Sequence, residues 1–103
     1  MHDDNFLPPE SCTTMTEVRA GVDSVDRQLV ALLGVRMRFM DAAARIKPDR
    51  NLVRDEARKA QVIANVKSHA AEKGVPASLA GDLWEALVEA SIAYELEAFD
   101  RRS

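Results

Sequence analysis

Apolar residues in the first half of the chain recur with the rhythm of a helix. Val18, Val22, Val25, Leu29, Leu32, Met40 and Ala43 step by alternating fours and threes, with one gap. That spacing lays a heptad-like seam along one helical face. Just ahead of it, Thr14-Met15-Thr16-Glu17 has the spacing of a capping box, with Thr14 as N-cap and Glu17 reaching back to it. The helix is expected to stop near Lys47, because Pro48 disfavours helical geometry in the residue before it. Residues 49–53 then form a short polar connection. A second helix spans about 54–72, with Val62, Ile63 and Val66 on its inner side and Gly74 as its stop. Pro76 and Ser78 open a third, whose stripe is Trp84, Val88, Ile92 and Phe99, with Leu83, Leu87 and Tyr94 alongside. The pattern predicts an all-α chain of three helices, a long first and two shorter. Residues 1–12 read as a polar lead-in and residues 13–103 as one helical domain.

The length of the first helix has a consequence. About 33 residues make a helix of roughly 50 Å, whereas a compact globule of 103 residues has a diameter of roughly 35 Å. The helix overhangs what its own chain can cover, and its apolar seam continues along the overhang. An uncovered seam of that length invites aggregation. A second copy related by two-fold symmetry is the simplest cover, so an intertwined helical homodimer is expected.

Composition narrows the chemistry. Hydrophobic residues make up 47% and charged residues 30%, the balance of a globular domain rather than a disordered chain. The net charge of −3 and pI near 5.3 argue against a nucleic-acid-binding protein. Arg45, Lys47, Arg50, Arg54 and Arg58 do cluster, but Asp49, Asp55 and Glu56 interrupt them and aromatics are absent. Cys12 is the single cysteine, so neither an internal disulfide nor a thiolate metal cluster can form, and His2 and His69 have no metal-ligand spacing. No metal and no cofactor is expected. The first ten residues are acidic and lack an apolar core, unlike a secretory leader. No apolar run reaches the roughly 20 residues that span a bilayer. Cytoplasm is the expected compartment, with no membrane partner.

Functional signals lie where ionisable residues interrupt the apolar seams. Continuing from Leu29 and Leu32 leads to Arg36, and continuing past Ala43 leads to Lys47. Arg19 opens the same helix beside Val18. On the third helix the step from Val88 and Ile92 lands on Glu95, and on the second Arg58 precedes Val62 by four. An unpartnered buried charge is costly, so such residues pair with each other or with a ligand. Four of these positions are basic and one is acidic, which implies a small polyanion supplied from solution. Each residue also has a plainer reading. Arg36 and Lys47 can snorkel to the surface along their aliphatic stems, and Glu95 can pair with Arg101 or Arg102 at the helix edge. Trp84 and Tyr94 read as core or interface aromatics rather than as cofactor stackers. Ser91 has no base placed to activate it as a nucleophile.

The ordered set resembles the all-helical (AroQ-type) chorismate mutases over nearly the whole chain, from about residue 10 to 99. Val18-Arg19-Ala20-Gly21-Val22-Asp23-Ser24-Val25-Asp26 is similar to the family's opening R-x-x-I-D-x-[IL]-D, with Arg19 as the substrate-binding arginine. The stretch from Leu29 to Arg36 resembles L-L-x-x-R, Ala44-Arg45-Ile46-Lys47 corresponds to the active-site lysine, and Val53-Arg54-Asp55-Glu56-Ala57-Arg58 resembles V-x-D-x-x-R. Ser91 and Glu95 fall where the family carries polar contacts on its third helix.

The resemblance implies a homodimeric enzyme of aromatic amino acid biosynthesis that rearranges chorismate to prephenate in sites shared between subunits. Arg19 from one subunit, with Arg36 and Arg58 from the other, would clamp the two carboxylates through guanidinium forks. Asp55 would hold the ring hydroxyl or a neighbouring basic side chain, and Ser91 would add a polar contact. Lys47 and Glu95 would donate to the breaking ether oxygen, Glu95 only when protonated. Glu95 stands where many relatives have glutamine, and Lys59 where many have a carboxylate.

The lead-in Pro9-Glu10-Ser11-Cys12 resembles instead the sister isochorismate pyruvate lyases, which make salicylate and pyruvate from a related dianion. Asp55 and Ser91 weigh towards the mutases, which are the favoured reading. A rival of another class is a non-catalytic helical dimerisation module whose seam charges only set register.

Overall fold

A computed structural model describes residues 7–102; residues 1–6, the first half of the lead-in, lie outside the described residues, and so does His2. The chain forms three α-helices, α1 (Met15–Ile46), α2 (Glu56–Glu72) and α3 (Ala77–Arg101), with 3-10 turns at Pro9–Ser11 and Arg50–Leu52. The described residues contain no strand. The expected all-α, three-helix architecture is the one the chain adopts.

Local chemistry sets the helix ends. The Thr14 hydroxyl accepts the Glu17 backbone N–H at 3.2 Å, and Glu17 Oε1 accepts those of Thr14 at 3.0 Å and Thr13 at 2.9 Å. The capping box is therefore closed in both directions. These donors, the Thr13 N–H foremost, hold the Glu17 carboxyl below its ordinary range. Asp55 caps α2 by accepting the Arg58 N–H at 2.9 Å. At the other end of α2, Gly74 takes a φ of 75°, and the Val75 N–H returns to the Ala70 carbonyl at 2.8 Å. That left-handed turn is accessible at little cost only to glycine. α3 starts after Pro76, whose carbonyl accepts the Ala80 N–H. Ser78 lies inside the helix, and no side chain caps it.

Packing divides the chain into two compact units, one up to Arg38 and one from Phe39 onward. In the first, the lead-in runs beside α1, and Leu7, Pro9, Cys12, Val18 and Val22 line an apolar groove of about 260 Å³. The seam residues Val18, Val22, Val25, Leu29 and Leu32 are 39 to 64% exposed. Ser24 is this unit's one buried residue among those described.

In the second unit α2 and α3 form an antiparallel hairpin. Lys59, early in α2, reaches Glu85 and Glu89, while Lys67, late in α2, crosses Gly81, early in α3. A β-carbon on Gly81 would sit 2.5 Å from Lys67 Cε, so glycine leaves room for that stem. Val53, Val88 and Ile92 form the buried centre, flanked by Val62, Trp84, Leu96 and Phe99. The α3 stripe packs as its periodicity predicts. Val53 corrects the expectation of a polar connection: it is 4% exposed and belongs to the core. The connection folds back because Asp49 is extended and its carboxylate accepts the Asn51 N–H at 2.8 Å, starting the 3-10 turn that delivers Val53 inward.

An ion network lies across the hairpin. Arg54 donates to both Glu89 oxygens, at 2.7 and 3.0 Å, and to Glu56 at 2.8 Å. Lys59 reaches Glu85 at 2.6 Å and Glu89 at 2.7 Å. Arg54 first, then Lys59, holds the Glu89 carboxyl down at about 2, below its ordinary 4.5. The folded protein thus takes up this proton later than the unfolded chain does. The resulting stabilisation is complete above about pH 4.5 and is lost as pH falls towards 2. The melting temperature, followed by circular dichroism, should hold near neutrality and decline below about pH 4.5. Glu89→Gln should make that decline shallower. Parallel acid slopes for the two proteins would show that this pair carries none of the dependence.

Candidate functional site

The two units divide the expected site residues. Arg19 and Arg36 belong to the first; Lys47, Asp55, Arg58, Ser91 and Glu95 belong to the second. Arg19 is exposed on α1 and Arg36 is half-buried. Arg58 corrects an expectation, because it is exposed rather than turned inward with Val62, and its guanidinium donates to Gln61 at 2.6 Å. A step of four overshoots a helical turn by about 40°, which carries Arg58, in the first turn of α2, off the packed face. Asp55 has one carboxylate oxygen committed to the α2 cap.

The second unit brings Lys47 and Glu95 together across 48 residues of sequence. Nζ stands 2.7 Å from Oε2, with side-chain exposures of 28% for Lys47 and 6% for Glu95. Glu95 therefore pairs with Lys47 rather than with Arg101 or Arg102. The approach is an ion contact without hydrogen-bond alignment. Oε2 is the one buried side-chain polar atom among the described residues that makes no hydrogen bond. Buried polar atoms are nearly always satisfied, so this oxygen keeps capacity for a further donor. The Lys47 ammonium also approaches the Val53 carbonyl at 3.5 Å. Ser91, one turn before Glu95 and buried, donates its hydroxyl proton to the Leu87 carbonyl at 2.7 Å. Tyr94 donates to Asp41 at 2.8 Å, tying α3 to the last turns of α1; that bond, with the Asp41 charge beside it, pushes the phenol above its ordinary range.

What assembles here is a half-buried ammonium, a buried carboxylate with an unsatisfied oxygen and a buried hydroxyl. Such a set can donate to, and stabilise charge on, an oxygen of a bound anion. Among the described residues no three or more histidine, cysteine, aspartate or glutamate side chains converge as metal ligands would.

Residues 18–96 match the family model described as chorismate mutase type II, a span that includes all seven expected site residues. The chain belongs to the type II chorismate mutase family. It is also similar to an isochorismate pyruvate lyase of Pseudomonas aeruginosa, 28% identical over 89 residues that cover 86% of this chain and 88% of the relative.

In this chorismate mutase-family chain several residues that build the site carry no periodic signal in the sequence. Arg102 Nη1 donates to the carbonyls of Lys47 at 2.6 Å, Ala44 at 2.9 Å and Arg45 at 3.4 Å. Its guanidinium carbon lies 3.7 Å from the Phe99 ring centre, a cation–π stack. Arg50 grips Asp100 through two hydrogen bonds, at 2.8 and 3.2 Å. Together these fasten the segment bearing Lys47 and Val53 to the end of α3. The one clue in the sequence is Pro48, which lacks the N–H that would bond the Ala44 carbonyl. Lys59 is taken up by Glu85 and Glu89.

Removing one partner of a buried ion pair leaves the other uncompensated, at a cost of roughly 3–5 kcal/mol when both ends are fully buried. Lys47 retains 28% exposure, so Lys47→Met should cost about 2–4 kcal/mol. The double change Lys47→Met with Glu95→Leu should recover most of that loss in urea unfolding. A double variant as unstable as the single one would show that the pair does not bear on stability.

Proposed function

We propose that this chain is a chorismate mutase, converting chorismate to prephenate in a homodimer whose sites draw on both subunits. The observation that carries the reading is the Lys47–Glu95 pair, with its unsatisfied buried oxygen, in a chain of the type II chorismate mutase family. The rearrangement breaks an ether C–O bond and forms a C–C bond within one molecule. Neither a nucleophile nor an external proton or electron enters the balance. A catalyst for it must hold the substrate folded and stabilise negative charge on the ether oxygen.

Lys47 donates to that oxygen. Glu95 donates to it as well, in its protonated form. Arg36 and Arg58 from one subunit and Arg19 from the other hold the two carboxylates, with Asp55 and Ser91 on the remaining polar groups. The exposed seam of α1 supports the dimer, since a second copy laid along it removes that apolar surface from water. Residues 13–103 act as one functional domain in the cytoplasm; no helix of the described residues is long and apolar enough to cross a membrane.

A second reading, isochorismate pyruvate lyase, is favoured by the similarity to the Pseudomonas aeruginosa relative of that name. Both reactions break an enolpyruvyl ether bond of a cyclic dianion, and the same donors serve either. Incubation with chorismate and isochorismate separately, with prephenate, salicylate and pyruvate quantified, decides between them. Prephenate from chorismate is the expected product, and salicylate from isochorismate alone would replace the mutase reading. A protein neither stabilised by nor active on either dianion would be a dimerisation module.

With protonated Glu95 as a hydrogen-bond donor to the ether oxygen, activity declines as pH rises, and Glu95→Gln, a hydrogen-bond donor at every pH, flattens the profile. An unchanged profile in that variant removes Glu95 from the mechanism. Arg36→Ala should lower kcat/KM by about a hundredfold or more, the loss expected for a desolvated charge-assisted contact worth roughly 3 kcal/mol. Light scattering should give twice the 11.4 kDa chain mass.

A further inference from the structure

The last turn of α1 has a defect written into its sequence. In an α-helix each carbonyl accepts the N–H four residues on, and for Ala44 that residue is Pro48, which has none. Ala44 is only 2% exposed, so water is a poor substitute. The last regular bond of the helix runs from the Lys47 N–H to the Ala43 carbonyl at 2.9 Å. Beyond it, the carbonyls of Ala44, Arg45 and Lys47 all turn to one side chain, that of Arg102. The stack on Phe99 fixes the guanidinium plane, and Phe99 packs against the buried cluster of Val53, Val88 and Ile92. The cationic end also suits the negative pole of α1.

We propose that Arg102 is a positioning residue: by clasping these carbonyls against the Phe99 ring, it holds the backbone of Lys47 where the ammonium stands 2.7 Å from Glu95. The inference rests on the reading of Lys47 as donor to the ether oxygen. Arg102 acts through Lys47. The 2.6 Å bond falls on the Lys47 carbonyl itself, so a frayed turn displaces the residue whose side chain must meet the substrate, and an ångström of misplacement is enough to matter. The Arg50–Asp100 pair fastens the same connection from its other side without touching Lys47, which makes it the control.

The experiment has a kinetic arm and an exchange arm. Arg102→Ala should lower kcat by about tenfold to a hundredfold while KM stays within about twofold, because the arginines that bind carboxylates remain in place. Arg102→Lys, which can reach a carbonyl but cannot present a planar fork, should restore part of kcat. Asp100→Asn should change kcat by less than about threefold. In amide hydrogen exchange, Arg102→Ala should speed exchange at Lys47 by about tenfold or more, relative to amides midway along α2 and α3.

Uniformly faster exchange, or unchanged protection at Lys47, would overturn the proposal. So would an equal kcat loss in Asp100→Asn, or a loss expressed mainly in KM. If the alanine variant does not fold, Arg102→Gln carries the same tests. A wild-type protein silent on both dianions would overturn the functional reading, and the exchange arm would still decide whether Arg102 holds Lys47.

Discussion

The arrangement of the second unit turns on an ammonium and a carboxylate meeting inside a small helical core. Two such groups tolerate burial only when they lie close, because each alone would lose its hydration without compensation. Lys47 sits just past the end of one helix and Glu95 in the second turn from the end of another, so their 2.7 Å approach demands accuracy from everything between them. The 3-10 turn at Arg50–Leu52, the inward Val53 and the clasp of Arg102 are the means by which that accuracy is met. An unsatisfied Oε2 within this pair is unusual for a purely structural contact.

The basic residues of the chain serve two distinct ends. Arg50, Arg54 and Lys59 are matched by Asp100, Glu56, Glu85 and Glu89, and join elements on the outside of the second unit. Such exposed pairs contribute little stability individually, but they set the register of the hairpin that carries Glu95. Arg19, Arg36, Lys47 and Arg58 are the residues assigned on the proposed reading to a dianionic substrate. Lys47 has a carboxylate contact, with Glu95, that a substrate oxygen would share or replace on that reading. Lys59 has both of its partners, Glu85 and Glu89, on α3.

The first unit presents the opposite balance. Its helix keeps the apolar rhythm of a packed surface, yet Val22, Leu29 and Leu32 are half or more exposed. On the proposed reading a second copy covers that apolar face. Arg19 and Arg36 ride on this same helix. On that reading, the copy that covers the seam also sets the surroundings of the two arginines.

The chain alone determined what depends on short-range rules. Helical periodicity, the capping box at Thr14 and Glu17, the stop at Gly74 and the α3 stripe through Val88 and Ile92 all follow from neighbours within a turn or two. The positions of Lys47 and Glu95 as charges on apolar seams were legible for the same reason. Tertiary structure alone decided that these two would be partners, that Val53 would be core rather than connection, and that Arg58 would lie on the surface. It also enlisted Arg102, more than fifty residues from the carbonyls it serves. Periodicity tells which face of a helix a residue occupies; where a connection folds and which distant donor meets an orphaned carbonyl depend on elements brought together only when the chain packs.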